Sequence, residues 1–190
     1  MKFIKKIVFV SAIFAFTQCS NDFLEKAPLD TINTSNYPTN EAELITLVNG
    51  AYQPLQWPKL YNMRMWTSDI MAGNSIVGAG GGSDGIETQD NSNFVTATDN
   101  QGVLDIWRGP WPGILMSNMV LKVAPNLAID ENVKKRSMGE AYFLRAHYYF
   151  ILVRYFGDLP LIITPQSSDS DLYPERVSKD LIYKQIIADL

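Results

Sequence analysis

The reactive side chains of this chain are one histidine, one cysteine and 20 carboxylates in 190 residues, and their placement argues against catalysis. His147 lies between Phe143 and Phe150 in an apolar run, the setting of a packed or hydrogen-bonded histidine. Ser–His–Asp or Cys–His chemistry would need it beside a nucleophile in a pocket. Cys19 closes an apolar leader and has a different use, developed below. No His-Glu-x-x-His run and no paired Cys–His spacing offers a zinc site. The glycine run from Gly78 to Gly85 lacks the Lys-Ser/Thr of a phosphate loop and reads as a flexible connection. Asp90-Asn91-Ser92-Asn93 starts like a calcium loop, but Val95 stands where Gly is required and Gln101 where the closing Glu should be. Glycoside hydrolysis needs two carboxylates flanking one bond, and no pair stands out among the acids. The sequence predicts a protein that is not an enzyme and uses neither metal nor cofactor.

Binding chemistry remains. Trp57, Trp66, Trp107 and Trp111 lie in or beside irregular stretches. Flat indole faces stack on the C–H-rich faces of sugar rings, while Asn and Asp side chains hydrogen-bond hydroxyls. Trp107 falls in a helical pattern and reads as a packing residue. Trp66 stands near Ser68, Asp69 and Asn74 at the mouth of the glycine-rich stretch. The ligand-binding candidates are therefore Trp66, Asp69 and Asn74, with helix packing the alternative for Trp66. Arg145 and Arg154 read as covering or pairing groups at the helix surface.

The elements that must position these residues follow from periodicity. From Gly139 to Phe156 apolar and aromatic residues dominate, in two stripes. Ala141, Leu144, Tyr148, Ile151 and Tyr155 form the first; Phe143, Ala146, Phe150 and Val153 form the second. So wide an apolar surface predicts a central helix packed on several sides. It should start near Asp130 and stop at Gly157, with Pro160 blocking resumption and a short strand-like LPLII following. Asn40 to Glu43 has the form of a capping box before a helix bearing Leu44, Leu47, Val48 and Ala51, ended by Pro54 and Pro58. A second helix is expected within Tyr61 to Met71. Residues 72–102 read as a long irregular excursion with a short strand near Asn93 to Thr98. Pro110 and Pro112 predict a break, with clean helix from Gly113. A last helix after Ser178 carries Tyr183, Ile186, Ile187 and Leu190 on one stripe, which runs off the chain end as in a truncated protein. The fold class expected is mainly α, with few short strands.

Composition agrees with a folded domain: 46% of residues are hydrophobic and the net charge is −4. Basic residues are dispersed, and the short Lys134-Lys135-Arg136 cluster reads as a solvated helix face, so no nucleic-acid partner is expected. A single cysteine excludes an internal disulfide. Lys2, Lys5 and Lys6, then the apolar run Ile7 to Phe16, then Thr17-Gln18-Cys19 make a secretory leader too short to span a bilayer. Cys19 resembles the lipidation site of a bacterial lipoprotein, although Gln18 replaces the usual small residue. The expected organisation is a signal peptide at 1–18, a lipidated tether and strap at 19–38, and a helical domain at 39–190.

The string GEAYFLRAHYYFILVRYFGDLPLI, Gly139 to Ile162, resembles the most characteristic segment of the SusD/RagB family of Bacteroidetes outer-membrane lipoproteins. CSNDFLEKAPLD from Cys19, NGAY at Asn49 to Tyr52, the aromatic–Asn pattern from Trp107 to Leu121 and ERVSKDLIYKQIIADL up to Leu190 match in order. Family members are usually longer, and the resemblance is to their N-terminal part. It implies tetratricopeptide-like helix pairs, to which Ala146 and Phe150 contribute the tail of a repeat signature. It further implies an outer-membrane lipoprotein facing the cell exterior and held by its lipid anchor. Such a protein captures a nutrient, most often an oligosaccharide, and passes it to a SusC-like TonB-dependent transporter. A periplasm-facing tetratricopeptide scaffold and a glycan-active enzyme are the rival classes, and the ligand class stays open.

Overall fold

The computed structural model describes residues 37–62, 65–78, 82–166 and 172–190, so the leader, Cys19 and most of the tether lie outside the described residues. The compact unit beginning at Pro38 is built from helices throughout.

Helix α1, Glu41–Tyr52, begins where Asn40 accepts the Glu43 N–H at 3.0 Å. The Glu43 carboxylate turns back one residue further than a capping box requires, accepting from the Thr39 N–H at 2.6 Å and the Thr39 hydroxyl at 2.9 Å. The backbone hydrogen bond from Thr39 is the main reason that the Glu43 pKa is lowered. Leu44, Leu47, Val48 and Ala51 form the buried stripe. The α-helix ends ahead of Pro54, as expected. A 3₁₀ turn, Gln53–Gln56, follows, then a π turn, Pro58–Asn62, and α2, Met65–Met71.

The 72–102 excursion is less irregular than its composition predicts. A short helix, α3, Ile86–Ser92, starts from Gly85 in the left-handed conformation (φ 57°). No apolar period announces it, because polar side chains hold it instead. Thr96 Oγ1 donates to buried Asn91 at 2.6 Å, and Asn100 Nδ2 donates to the Glu87 carbonyl at 3.0 Å. The Phe94 and Val95 N–H groups donate back to the Asn91 and Asp90 carbonyls at 3.2 and 3.0 Å, and the strand expected at Asn93 to Thr98 does not form. Among the described residues, β pairing is confined to a single antiparallel bridge, Leu159 to Val177.

Helix α4, Gln101–Arg108, is capped by Asn100, and Gly109 joins it to α5, Pro110–Val123. The expected break is present, but α5 starts at Pro110 rather than Gly113. Both prolines fall in its first turn, where the missing N–H groups would have no intrahelical partner anyway. A 3₁₀ turn, Ala124–Asn126, leads to α6, Glu131–Phe156, capped by Asp130 and stopped at Gly157 (φ 68°). Helix α7, Lys179–Asp189, follows. Its first free N–H is satisfied by Asp158, which accepts from Lys179 at 2.8 Å, while the Ser178 side chain makes no cap bond.

Helix α6 is the centre of the packing, touching α1, α5 and α7. Ala141, Leu144, Ala146, Tyr148 and Val153 are buried as their spacing predicts. The stripes are narrower than expected, because Phe143, Phe150 and Tyr155 are 55%, 41% and 44% exposed. Tyr149 and Leu152 complete the core in their place. Tyr149 donates its hydroxyl to the Ile162 carbonyl at 2.9 Å and accepts the Ile162 N–H at 2.7 Å, so the LPLII segment is held by a side chain rather than by a strand. Burial is the chief cause that pushes this phenol up to about 12.

Arg145 is also buried rather than at the bundle surface, paired with Asp189. On α7 the buried residues are Ile182 and Ile186; Tyr183, Ile187 and Leu190 of the expected stripe face outward. The angular difference between neighbouring stripes is too small for apolar counting to choose the inward one.

Leu144 is fully buried, so Leu144→Ala is expected to cost roughly 2–5 kcal/mol through lost contacts and a residual cavity. Phe150→Ala, on the more open face, should cost less, about 1 kcal/mol, because much of its ring is already in water. Urea unfolding of both variants checks this, and equal losses would contradict the assigned inward face.

Candidate functional site

His147, Phe150, Ile151, Arg154 and Tyr155 follow i, i+3, i+4, i+7 and i+8 along α6 and so share one face. Opposite them lie Leu60 and Tyr61 from the π turn, Ser68 and Asp69 from α2, and Ile106 from α4, enclosing a cavity of about 310 Å³. Two side-chain pairs stitch its walls together. The Tyr61 hydroxyl is hydrogen-bonded to His147 Nε2. Ser68 Oγ lies 2.6 Å from the Tyr155 hydroxyl, and either oxygen can donate.

Burial lowers the His147 pKa and raises that of Tyr61, so at neutral pH both are uncharged hydrogen-bonding groups. The His147 ring is near-parallel to that of Phe143, centroids 6.2 Å apart at 14°, and near-coplanar with Tyr61, which meets it end to end at 6.3 Å and 4°. Arg154 lies over the Phe150 ring with its guanidinium carbon 5.3 Å from the centroid. Among the described residues, neither Arg154 nor Asp69 joins a salt bridge.

Two other cavities are larger. One of about 440 Å³ is walled by α5 and the residues around Ile162, with Trp111, Ile114 and Leu115 beside Arg108, Asn118 and Gln166 in its lining. Another of about 480 Å³ is lined by Asn118 and Arg145, whose polar groups are already spent on internal bonds. Aromatic walls with a few convergent polar groups mark a ligand site better than volume does. The cavity under Tyr61 and His147 has the more aromatic wall, with Ser68, Asp69 and Arg154 as its polar groups.

Asp69 lines this cavity and is exposed. Asn74 follows the end of α2, its N–H bonded to the Asp69 carbonyl at 2.9 Å; its exposed side chain is not part of the lining. Trp66 lies on α2, and its side chain is outside the described residues, as is Cys19. Trp107 is a packing residue, edge-on to Trp111 at 5.4 Å and to Phe156 at 5.0 Å.

Tyr61, Phe150, Arg154 and Tyr155 were not singled out as site residues by the sequence. The available signal was the recurrence of Phe143, His147, Phe150 and Arg154 along one line of α6, hidden inside an apolar surface that looked uniformly buried. Phe94 is a further feature that only coordinates reveal: 74% exposed and at φ 58°, a conformation that a bulky residue adopts only under constraint.

The family model described as "Starch-binding associating with outer membrane", of SusD-like type, matches residues 22–190. The chain belongs to the SusD-like family. SusD-like protein P2 of Formosa agariphila is 28% identical over 188 residues, covering 97% of this chain and 36% of that protein. Among solved structures, a laminarin-binding SusD-like protein superposes with a TM-score of 0.67 at 28% identity, over 80% of this chain and 33% of the other. Surface glycan-binding protein A of Bacteroides fluxus gives 0.65 at 26% identity, over 80% and 32%. This SusD-like chain thus spans about a third of the length of these relatives. Its helix pairs are the tetratricopeptide-like elements that the resemblance implied.

Proposed function

We propose that this protein is a non-catalytic, cell-surface glycan-binding lipoprotein that captures an oligosaccharide and delivers it to a SusC-like TonB-dependent transporter in the outer membrane. The observation that carries the reading is the SusD-like match across residues 22–190, whose relatives include proteins named for binding laminarin and surface glycans. The aromatic-walled cavity beside Asp69 is consistent with it, since sugar recognition asks for flat apolar faces with a few polar groups at their edges. In this reading residues 1–18 are a signal peptide, 19–38 a lipidated tether, and 39–190 the N-terminal helical domain. Trp66, Asp69 and Asn74 contribute ligand contacts from α2 and the turn after it. No bond is made or broken in the ligand; binding and release are coupled to docking on the transporter.

A polysaccharide-binding screen tests this, with laminarin the first member. Saturable binding of one polysaccharide class without product formation is the expected result. Hydrolysis of the bound glycan, or no binding to any member by folded protein, would overturn the reading. Cys19→Ala is expected to move the protein from the membrane fraction to the soluble one, because the acyl chains supply the membrane affinity. Retention of the variant in the membrane fraction would place the anchor elsewhere.

A further inference from the structure

The cavity of about 440 Å³ beside α5 has one charged group and a hydrocarbon middle. Arg108, Trp111, Leu115 and Asn118 are spaced i, i+3, i+7 and i+10, so they follow one face of the chain. Gly109 keeps helical angles, φ −59° and ψ −44°, and the face carries over from α4 into α5. Arg108 and Asn118 are then about 15 Å apart along the axis, at a rise of about 1.5 Å per residue. The polar groups at the far end are closed. The Ile162 carbonyl accepts from Tyr149 and Asn118, and its N–H donates to Tyr149. Asn118 spends its remaining bonds on the Thr164 carbonyl and on Arg145. Pro112, Ile114, Leu115 and Ile162 thus turn hydrocarbon to the cavity. Arg108 differs: it is exposed, and among the described residues its guanidinium joins neither a salt bridge nor an aromatic ring.

We propose that this groove is a second ligand site, for a single-chain alkyl carboxylate of fatty-acid type, its chain along α5 and its head on Arg108. The groove shares no lining residue with the cavity under Tyr61 and His147, and the proposal is independent of the capture reading. A sugar would bury hydroxyls against a wall that offers them no partner, and each unpaired group would weaken binding. An alkyl chain gives up only water there, and every methylene buried tightens binding about fourfold. The guanidinium fork meets a carboxylate with two parallel hydrogen bonds, a hydroxyl head with one, and repels an ammonium head. The overall charge of −4 works against anions in general, so the chain supplies the affinity and Arg108 the choice of head.

The test is calorimetric titration of the protein, Arg108→Gln, Arg108→Glu and Leu115→Gln with decanoate, decanol, decyltrimethylammonium and butyrate, each kept monomeric. The unmodified protein is expected to bind decanoate saturably, decanol about five- to tenfold more weakly, and the ammonium and butyrate not measurably. Arg108→Gln should abolish the preference for decanoate over decanol and leave decanol binding unchanged. Arg108→Glu should invert the choice of head in favour of the ammonium. Leu115→Gln should weaken decanoate and decanol alike, by about fivefold or more, because it puts an amide into the hydrocarbon wall. Arg108 is exposed, so its variants keep the question answerable if Leu115→Gln fails to fold. Equal binding of decanoate and decanol by the unmodified protein would overturn the carboxylate class. Decanoate binding undiminished in both Arg108→Gln and Leu115→Gln would overturn the site. Absence of decanoate binding by the unmodified protein would overturn the proposal and leave glycan capture standing.

Discussion

Arg145→Ala is expected to destabilise the protein by about 3–5 kcal/mol, because it strands a buried carboxylate. The Arg145 and Asp189 side chains are 6% and 2% exposed, with Nη2 and Oδ1 2.6 Å apart and Nε donating to Oδ2 at 2.8 Å. Nη1 donates further to Asn118 Oδ1 at 2.9 Å and to the Ile163 carbonyl at 3.1 Å. Asn118 in turn donates to the Ile162 carbonyl at 2.9 Å. One guanidinium thereby joins α6, α5, α7 and the extended segment after Gly157. Its planar fork is what allows this, since a lysine ammonium cannot bridge a carboxylate bidentately. Arg145→Lys should therefore lose much of the same stability. Removing both charges as Arg145→Met/Asp189→Leu should recover part of the loss but not all, as Asn118 Oδ1 and the Ile163 carbonyl would still lack a donor. Urea unfolding of the single and double variants measures this. A loss below about 1 kcal/mol for Arg145→Ala would mean that the pair is solvated and the α7 junction loose.

Gly113→Ala is expected to be destabilising, although the residue lies within a helix where alanine is the better former by about 1 kcal/mol. A Cβ at Gly113 would lie 2.1 Å from Tyr148 Cε2 and 2.3 Å from its Cζ. The Tyr148 ring cannot easily withdraw. It is fully buried, and its hydroxyl donates to the Ala51 carbonyl at 2.7 Å. Overpacking at this crossing of α1, α5 and α6 should outweigh the gain in propensity, for a net loss of roughly 1–3 kcal/mol. Gly139→Ala is the matched control. Gly139 lies in α6 with nothing within 4 Å of an added Cβ, so the same change there should stabilise by about 0.5–1 kcal/mol. Thermal melting of the two variants should move in opposite directions. Stabilisation by Gly113→Ala would show that the α5–α6 crossing is looser than its geometry.

Local chemistry determined the elements. Asn40 and Asp130 cap their helices, Gly157 stops α6, and the apolar density between Gly139 and Phe156 made that helix the centre of the molecule. These features depend on neighbours within a turn or two, so a linear string contains them. The absence of catalytic and metal motifs and the family resemblance were equally open to reading. What the string could not supply was direction. Stripes on α6 and α7 differ by a fraction of a turn, and only their packing partners decided that Tyr149, Leu152 and Ile182 face inward while Phe143, Phe150 and Ile187 face out. The polar helix α3 lacks a period because it is held by Asn91 and Asn100 rather than by a core.

The candidate site was legible in proportion. Asp69 reads as a ligand candidate from its local company, whereas the residues that share its cavity are distant along the chain. His147 meets Tyr61 across 86 residues, and Tyr155 meets Ser68 across 87. Arg145 reads as a surface group in the linear sequence because its partner, Asp189, lies 44 positions away. Secondary structure and termination are decided by short-range sterics and hydrogen bonds, which the sequence alone determined. Burial, pairing of charges and the shape of a binding wall arise from contacts between remote segments, and those only the tertiary structure decided.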